Sequence, residues 1–245
     1  QPMALLQAKD FLMGLYERVL SGQTSIREKL GIGAASLIFS SLSYLWYLGV
    51  FYTPRPVVGK LESIKHFFYY QHKCPVPELG GRVMGLVMKM VFNPALFDLE
   101  KKDFKFMGCC QSIYYDDPNQ LVDQRDFRAV FGYAVTESLS ADQVEEVLRH
   151  DSSLKHEGEI AESKCITTYF PWRNKLSYSI GAKKAYPALD AFFRENQSSL
   201  GLPERKLSLE RSMEKEGRIE YYCGFDEKTQ ERFLSLMTLP RGEYK

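Results

Sequence analysis

Histidine is scarce in this chain, four in 245 residues, and its five cysteines include no C-x-x-C pair. That spacing excludes the common structural zinc and dithiol motifs. No P-loop and no G-x-G-x-x-G turn occurs, so no nucleotide-phosphate cradle is encoded. The G-x-S-x-G elbow of a serine nucleophile is absent too. Neither sign of charge dominates: 32 Lys and Arg stand against 31 Asp and Glu, a net charge of +1. With no concentrated basic surface, a nucleic-acid partner is not expected. His66, His72 and Cys74 lack a fourth ligand at recognisable spacing, so no metal and no cofactor are expected. Asp116 and Asp117 precede Pro118 and read as turn residues. His150 and Asp151 have no nucleophile motif beside them. Cys74, Cys109, Cys110, Cys165 and Cys223 read as reduced thiols, mostly buried. Catalysis is therefore left without a sequence motif.

What the chain does have is one long uncharged stretch. Between Lys29 and Arg55 it reads LGIGAASLIFSSLSYLWYLGVFYTP, with no Asp, Glu, Lys, Arg or His. A helix crossing ~30 Å of hydrocarbon needs about 20 such residues, and the stretch predicts a single transmembrane helix over 30–54. Trp46, Tyr47, Phe51 and Tyr52 sit where an aromatic belt would meet one interface, and are read as its anchor. Residues 1–29 precede it, with Leu5, Leu12, Leu15, Tyr16 and Val19 spaced as on one face of an amphipathic helix over 3–20. Such a helix would lie on membrane lipid or against another membrane subunit. Gln1 in place of Met leaves open a fragment, a start at Met3 or a removed presequence.

Beyond Pro56 the order of elements repeats. Leu61 to Tyr70 reads as a strand, Glu78 to Phe92 as a helix, and Phe104 to Tyr115 and Phe127 to Val135 as two strands. The helix would turn Val83, Leu86, Val87, Met90 and Val91 to one side. Ile160 to Tyr169, Leu176 to Phe193, Leu207 to Met213 and Arg218 to Phe225 then give strand, helix, strand, strand again. A short helix stands between the units, with Ser140 and Gln143 as its capping box. Two β-α-β-β units predict an α+β fold, an antiparallel sheet with helices on one face. The cleft between paired halves is a natural ligand site.

Three phrases carry a resemblance: SIYYDDPNQLVDQRDFRAVFGYAV, TYFPWRNKLSYSIGAKKAYPALDAFF and LSLERSMEKEGRIEYYCGF. Over residues 56–226 the chain resembles the GyrI-like (gyrase-inhibitor-like, effector-binding) domain. Within it, the chain is most similar to the testis-expressed, ER-anchored autophagy-receptor family, which also joins a membrane helix to the duplicated unit. That family's receptor activity resides in a disordered tail with an aromatic-x-x-aliphatic motif. Here residues 227–245 form a C-terminal extension in which only Phe233-Leu234-Ser235-Leu236 has that spacing. The resemblance implies an acidic residue, Glu210, beneath an aromatic-walled pocket. Tyr169, Phe170 and Trp172 would match its rim, and Tyr115, Tyr221 or Tyr222 its other wall. A carboxylate among aromatic faces attracts organic cations, or, if desolvated, serves as a general acid or base.

Two functions follow as expectations. One is a membrane-anchored, non-catalytic GyrI-like module serving as an interaction or accessory subunit of a membrane complex. The other is a small-molecule binder or hydrolase using the Glu210 pocket, with a receptor-like adaptor as a further alternative. The resemblance implies the endoplasmic reticulum; membership of a respiratory-type complex would suit the mitochondrial inner membrane.

Overall fold

A computed structural model describes residues 14, 17, 18, 21, 26–96, 110–117, 120–213 and 216–244. The chain divides into two compact units, residues 1–51 and 52–245. The first holds helix α1, Ile26–Tyr47. It ends in the turn at 48–50, where Gly49 takes a left-handed φ of 80°. The expected amphipathic helix over 3–20 lies almost wholly outside the described residues.

The expected transmembrane span at 30–54 finds no support in these bounds. Among the described residues no helix is long and apolar enough to cross a membrane. Of the 22 residues of α1, the first four are Ile26-Arg27-Glu28-Lys29, leaving 18 in the uncharged stretch. At ~1.5 Å per residue these reach about 27 Å, short of ~30 Å of hydrocarbon. Serines and glycines dilute that length further. Trp46, Tyr47 and Phe51 are exposed. Tyr52 is no interfacial anchor: its ring meets Tyr169 and Phe170 at 5.6 Å, and its carbonyl accepts from Lys184 Nζ at 2.9 Å.

The second unit is built on strands β1 (Val57–Leu61), β2 (His66–Lys73), β3 (Cys110–Tyr114) and β4 (Arg128–Val135). Strands β5 (Lys155–Glu157), β6 (Ser163–Pro171), β7 (Ser208–Met213) and β8 (Arg218–Cys223) complete it. Helix α2 spans Val76–Val91, α3 Ala141–Arg149, α4 Leu176–Leu200 and α5 Glu227–Ser235. All eight strands form one sheet in the order β1-β6-β8-β7-β3-β4-β2-β5, every pair antiparallel. The expected α+β class and antiparallel sheet are thus present. The two β-α-β-β units lie head to head: β7 of the second meets β3 of the first.

The edges are exchanged. β1 runs into β2 in the chain yet borders β6; β5 runs into β6 yet borders β2. In a flat sheet β1 and β2 would stand six spacings apart, about 29 Å. The five-residue step from Leu61 to His66 spans at most about 18 Å. The sheet therefore curls until its edges approach, and the Ile64–Ile160 bridge staples them, each N–H donating to the other's carbonyl at 2.9 and 2.8 Å. Strand alternation then sorts side chains by face. Leu61, Phe67, Ile113, Val130, Cys165, Leu209 and Tyr222 point into the curl and form one core. Phe68, Phe131, Ile166, Phe170 and Tyr221 point outward, under the helices.

Local chemistry fixes the helices. Ser140 and Gln143 form the reciprocal capping box of α3. Asp226 caps α5 by accepting from the Thr229 N–H at 2.9 Å. Gly201, at φ 63°, stops α4 with a left-handed residue. α5 departs from the expectation of helices on one face: Phe233 and Leu236 enter the inner core. The Phe233–Leu236 pattern, which has only the minimal spacing of a receptor motif, has both anchor side chains fully buried. The last residues are tied down too. Asp116 accepts from both forks of Arg128 at 2.9 and 2.8 Å, and from Tyr244 Oη at 2.7 Å. Burial would raise the Asp116 pKa, but the hydrogen bonds from Arg128 and Tyr244 win and hold it below the ordinary range.

Candidate functional site

Glu210 lies on β7 at the seam where the two halves meet. Its register partners are Ser112 on β3 and Tyr221 on β8. It points to the outer face, because its neighbour Leu209 belongs to the inner core. Tyr186 Oη of α4 donates to Glu210 Oε1 at 2.6 Å, and Tyr114 Oη of β3 donates to Oε2 at 3.1 Å. Tyr221 closes the group, its ring edge-on to Tyr186 at 5.6 Å. Its buried hydroxyl has no hydrogen-bond partner.

The carboxyl is crowded by these side chains, which occupy both of its oxygens. Glu210, Tyr114 and Tyr186 each keep partial solvent exposure. Burial among the aromatic walls pushes the Glu210 pKa up to about 7, against the pull of the Tyr186 and Tyr114 hydroxyls, which favour the charged form. Burial, followed by the negative charge of Glu210, raises the phenols of Tyr114, Tyr186 and Tyr221 well out of the neutral range. They stay protonated, and two of them donate to the carboxylate. A carboxylate with three tyrosines around it can hold a positive charge against π faces.

Helix α4 is spaced to build this wall. Tyr178, Gly181, Ala185, Leu189 and Phe193 recur every three or four residues on its inward face, with Tyr186 beside Ala185. Gly181 leaves room: a Cβ there would lie 2.5 Å from Tyr221 Oη and 3.0 Å from Phe170. Tyr178 Oη shares a hydrogen bond with Ser212 Oγ at 2.6 Å, two residues beyond Glu210.

The structure brings together only part of the expected pocket. Glu210 and Tyr221 are neighbours, and Phe170 packs with Tyr221 against Gly181. Trp172 packs on the same outer cluster, its indole N–H buried without a partner. Tyr115 is elsewhere: it faces the inner core and donates to the Phe233 carbonyl at 2.8 Å. Tyr222 faces inward too, toward Glu220 and Arg211. Tyr169, 51% exposed, stacks obliquely on Tyr52. All three fall to the other face by strand alternation. Tyr114, Tyr178 and Tyr186 were the residues missed. Tyr114 is one step from the expected Tyr115, and only the β3–β7 register tells them apart. Tyr186 was readable from its eight-residue spacing to Tyr178 along one helix face.

Among the described residues no group of three or more His, Cys, Asp or Glu is placed to hold a metal. His66 instead shares a hydrogen bond with His156 at 3.0 Å and accepts the Leu139 N–H at 2.9 Å. Burial lowers the pKa of both imidazoles. Cys74, Cys165 and Cys223 are buried thiols, and the part-buried Cys110 donates its S–H to the Gln111 carbonyl at 3.8 Å.

No family model and no curated protein matches the chain. Solved structures do resemble it. One is SAV2435 bound to tetraphenylphosphonium, at 11% identity and TM-score 0.43, covering 73% of this chain and 98% of the other. Another is the EcmrR C-terminal domain, at 12% identity and TM-score 0.42, covering 71% and 98%. A hydrolase from Listeria innocua matches at 10% identity and TM-score 0.41, covering 72% and 95%. These likenesses are remote, and nothing among them touches the autophagy-receptor branch.

Proposed function

We propose that the second unit is a binding module for small organic cations, with Glu210 as the counter-charge. The observation that carries this reading is the Glu210 carboxylate, held by Tyr114 and Tyr186 beside the unpartnered hydroxyl of Tyr221. Aromatic faces favour a delocalised, lipophilic cation over a compact hydrated one. The head-to-head β-α-β-β halves support the resemblance to the effector-binding GyrI-like fold, in which such a cleft is expected. A membrane accessory role gains no comparable support from the described residues.

Calorimetric titration of the full chain with tetraphenylphosphonium tests the reading. Saturable binding is expected, weakened at least tenfold in Glu210→Gln. Affinity should also fall about tenfold between pH 8 and pH 6 as the carboxyl protonates. The neutral triphenylphosphine oxide should bind weakly in comparison. Equal binding of both compounds, indifferent to Glu210→Gln, would remove the cation-binding reading.

A further inference from the structure

We infer that the inner face of the curled sheet carries a second binding site, an oxyanion site centred on Arg211. Arg211 follows Glu210 on β7 and so points to the opposite face. With Lys60, Glu62, Arg218, Glu220 and Tyr222 among its neighbours it lines a cavity of about 250 Å³. That is room for a carboxylate or phosphate group, less than the 300 Å³ or more of a typical drug-sized pocket.

The state of the Arg211 side chain makes the case. Only 4% of it is exposed, yet its Nε and Nη2 have no hydrogen-bond partner. Those two N–H groups form one edge of the guanidinium, the fork that grips a carboxylate or phosphate with two parallel hydrogen bonds. The face of the group is already used, lying 5.2 Å from the Tyr222 ring centroid. Stacking fixes the plane and leaves the edge free. Buried charged donors are almost always paired, so an orphaned fork beside a cavity points to a ligand.

The local charges agree. Glu220 is the one carboxylate well inside the site, and its oxygens are occupied. Arg218 Nε and Nη2 donate to Oε1 at 2.9 and 2.8 Å, and Tyr222 Oη donates to Oε2. Arg211 Nη1 stands 3.6 Å from Glu220, beyond hydrogen-bond distance. Two guanidinium groups thus share the one carboxylate that is well buried, and the second carboxylate of the lining, Glu62, stands at the rim. Lys60 and Glu162 neutralise each other at 2.7 Å. Glu62 reaches Arg211 only at 3.9 Å, and 72% of its side chain is in solvent. It is a weak internal competitor for the place an anion would take. The fork edge itself is buried, so an oxyanion entering the cavity would have to draw it out at the cost of part of the Tyr222 stacking. The chemistry shared by a free phosphate, a phosphorylated metabolite and a carboxylic acid is one oxyanion accepting two N–H bonds.

Thermal unfolding and calorimetry of the full chain with inorganic phosphate, and separately with acetate, provide the test, at ionic strength held constant with sodium chloride. A saturable rise in Tm with either anion is expected; phosphate alone identifies a phosphoryl ligand and acetate alone a carboxylate. The rise should vanish in Arg211→Met and persist in Glu210→Gln, which separates it from cation binding. Glu62→Gln, an exposed change that leaves the fold intact, should tighten binding roughly threefold by removing the competing charge. Arg218→Gln should weaken it, since Glu220 is then free to close on Arg211. No saturable response to either anion, an equal response in Arg211→Met, or a Glu62→Gln protein that binds no tighter would each overturn the assignment.

Discussion

At the scale of single residues, Glu210 sets the pH behaviour of the fold. Its pKa is raised from an ordinary 4.5 to about 7, so the folded state holds its proton more tightly than the unfolded chain. The stability linked to that proton is fully present below about pH 4.5 and is lost as pH rises through about 7. Glu210→Gln keeps the shape without the charge. Denaturant melts from pH 5 to pH 8 should show the variant gaining on the parent as pH rises, by up to about 3 kcal/mol. A constant difference across that range would mean that the carboxyl is not desolvated. The same residue shows where sequence reading stops. The resemblance led to Glu210 itself, but the choice between Tyr114 and Tyr115 depends on register. An aromatic pair in a strand gives no sign of which member faces the helices. A one-residue slip exchanges the two faces entirely.

Among the elements, the repeated strand-helix-strand-strand order was legible because each strand is rich in branched and aromatic residues and each helix has its period. What escaped has physical causes. The run from Val57 to Lys73 contains two strands, and the break at Glu62–Lys65 carries no Gly or Pro to mark it. β5 is three residues at an edge, too short for any alternation to show. α5 is polar over most of its length and buries Phe233 deeply, so its sequence looks like a tail. α4 runs on through Asn196 to Leu200, past the expected stop at Phe193, because its left-handed terminator comes at Gly201. Within α4, Gly181 is a packing requirement. Gly181→Ala gains helix propensity of about 1 kcal/mol, but its methyl would press on Tyr221 Oη and Phe170. A net loss of about 1–2 kcal/mol is expected in thermal melts. Tyr221→Phe removes the hydroxyl and leaves the lesser contact with Phe170, so the same substitution made in that background should cost clearly less. Additive effects in the double variant would show that the contact is not the cause.

For the molecule as a whole, the sheet is one continuous surface with two chemically opposite faces. Under the helices it presents a carboxylate ringed by phenols; inside the curl it presents a guanidinium fork. The two reporters are adjacent in sequence, Glu210 and Arg211, and the strand between them is rigidly paired on both sides. Ligands on the two faces therefore act on the same few backbone atoms.

The exchange of edge strands has a consequence for how the chain comes apart. Each half lends its leading strand to the border of the other, β1 to β6 and β5 to β2. A single backbone cut at the exposed Glu137–Ser138 link, through an inserted protease site, would leave two interlocked pieces. They should co-elute in native buffer, and after denaturation they should regain a cooperative melt only when mixed. Pieces that drift apart on the column would mean that the borrowed strands hold nothing together. Fragment complementation of this kind makes the domain a natural split reporter: two inert polypeptides whose reunion rebuilds both faces at once.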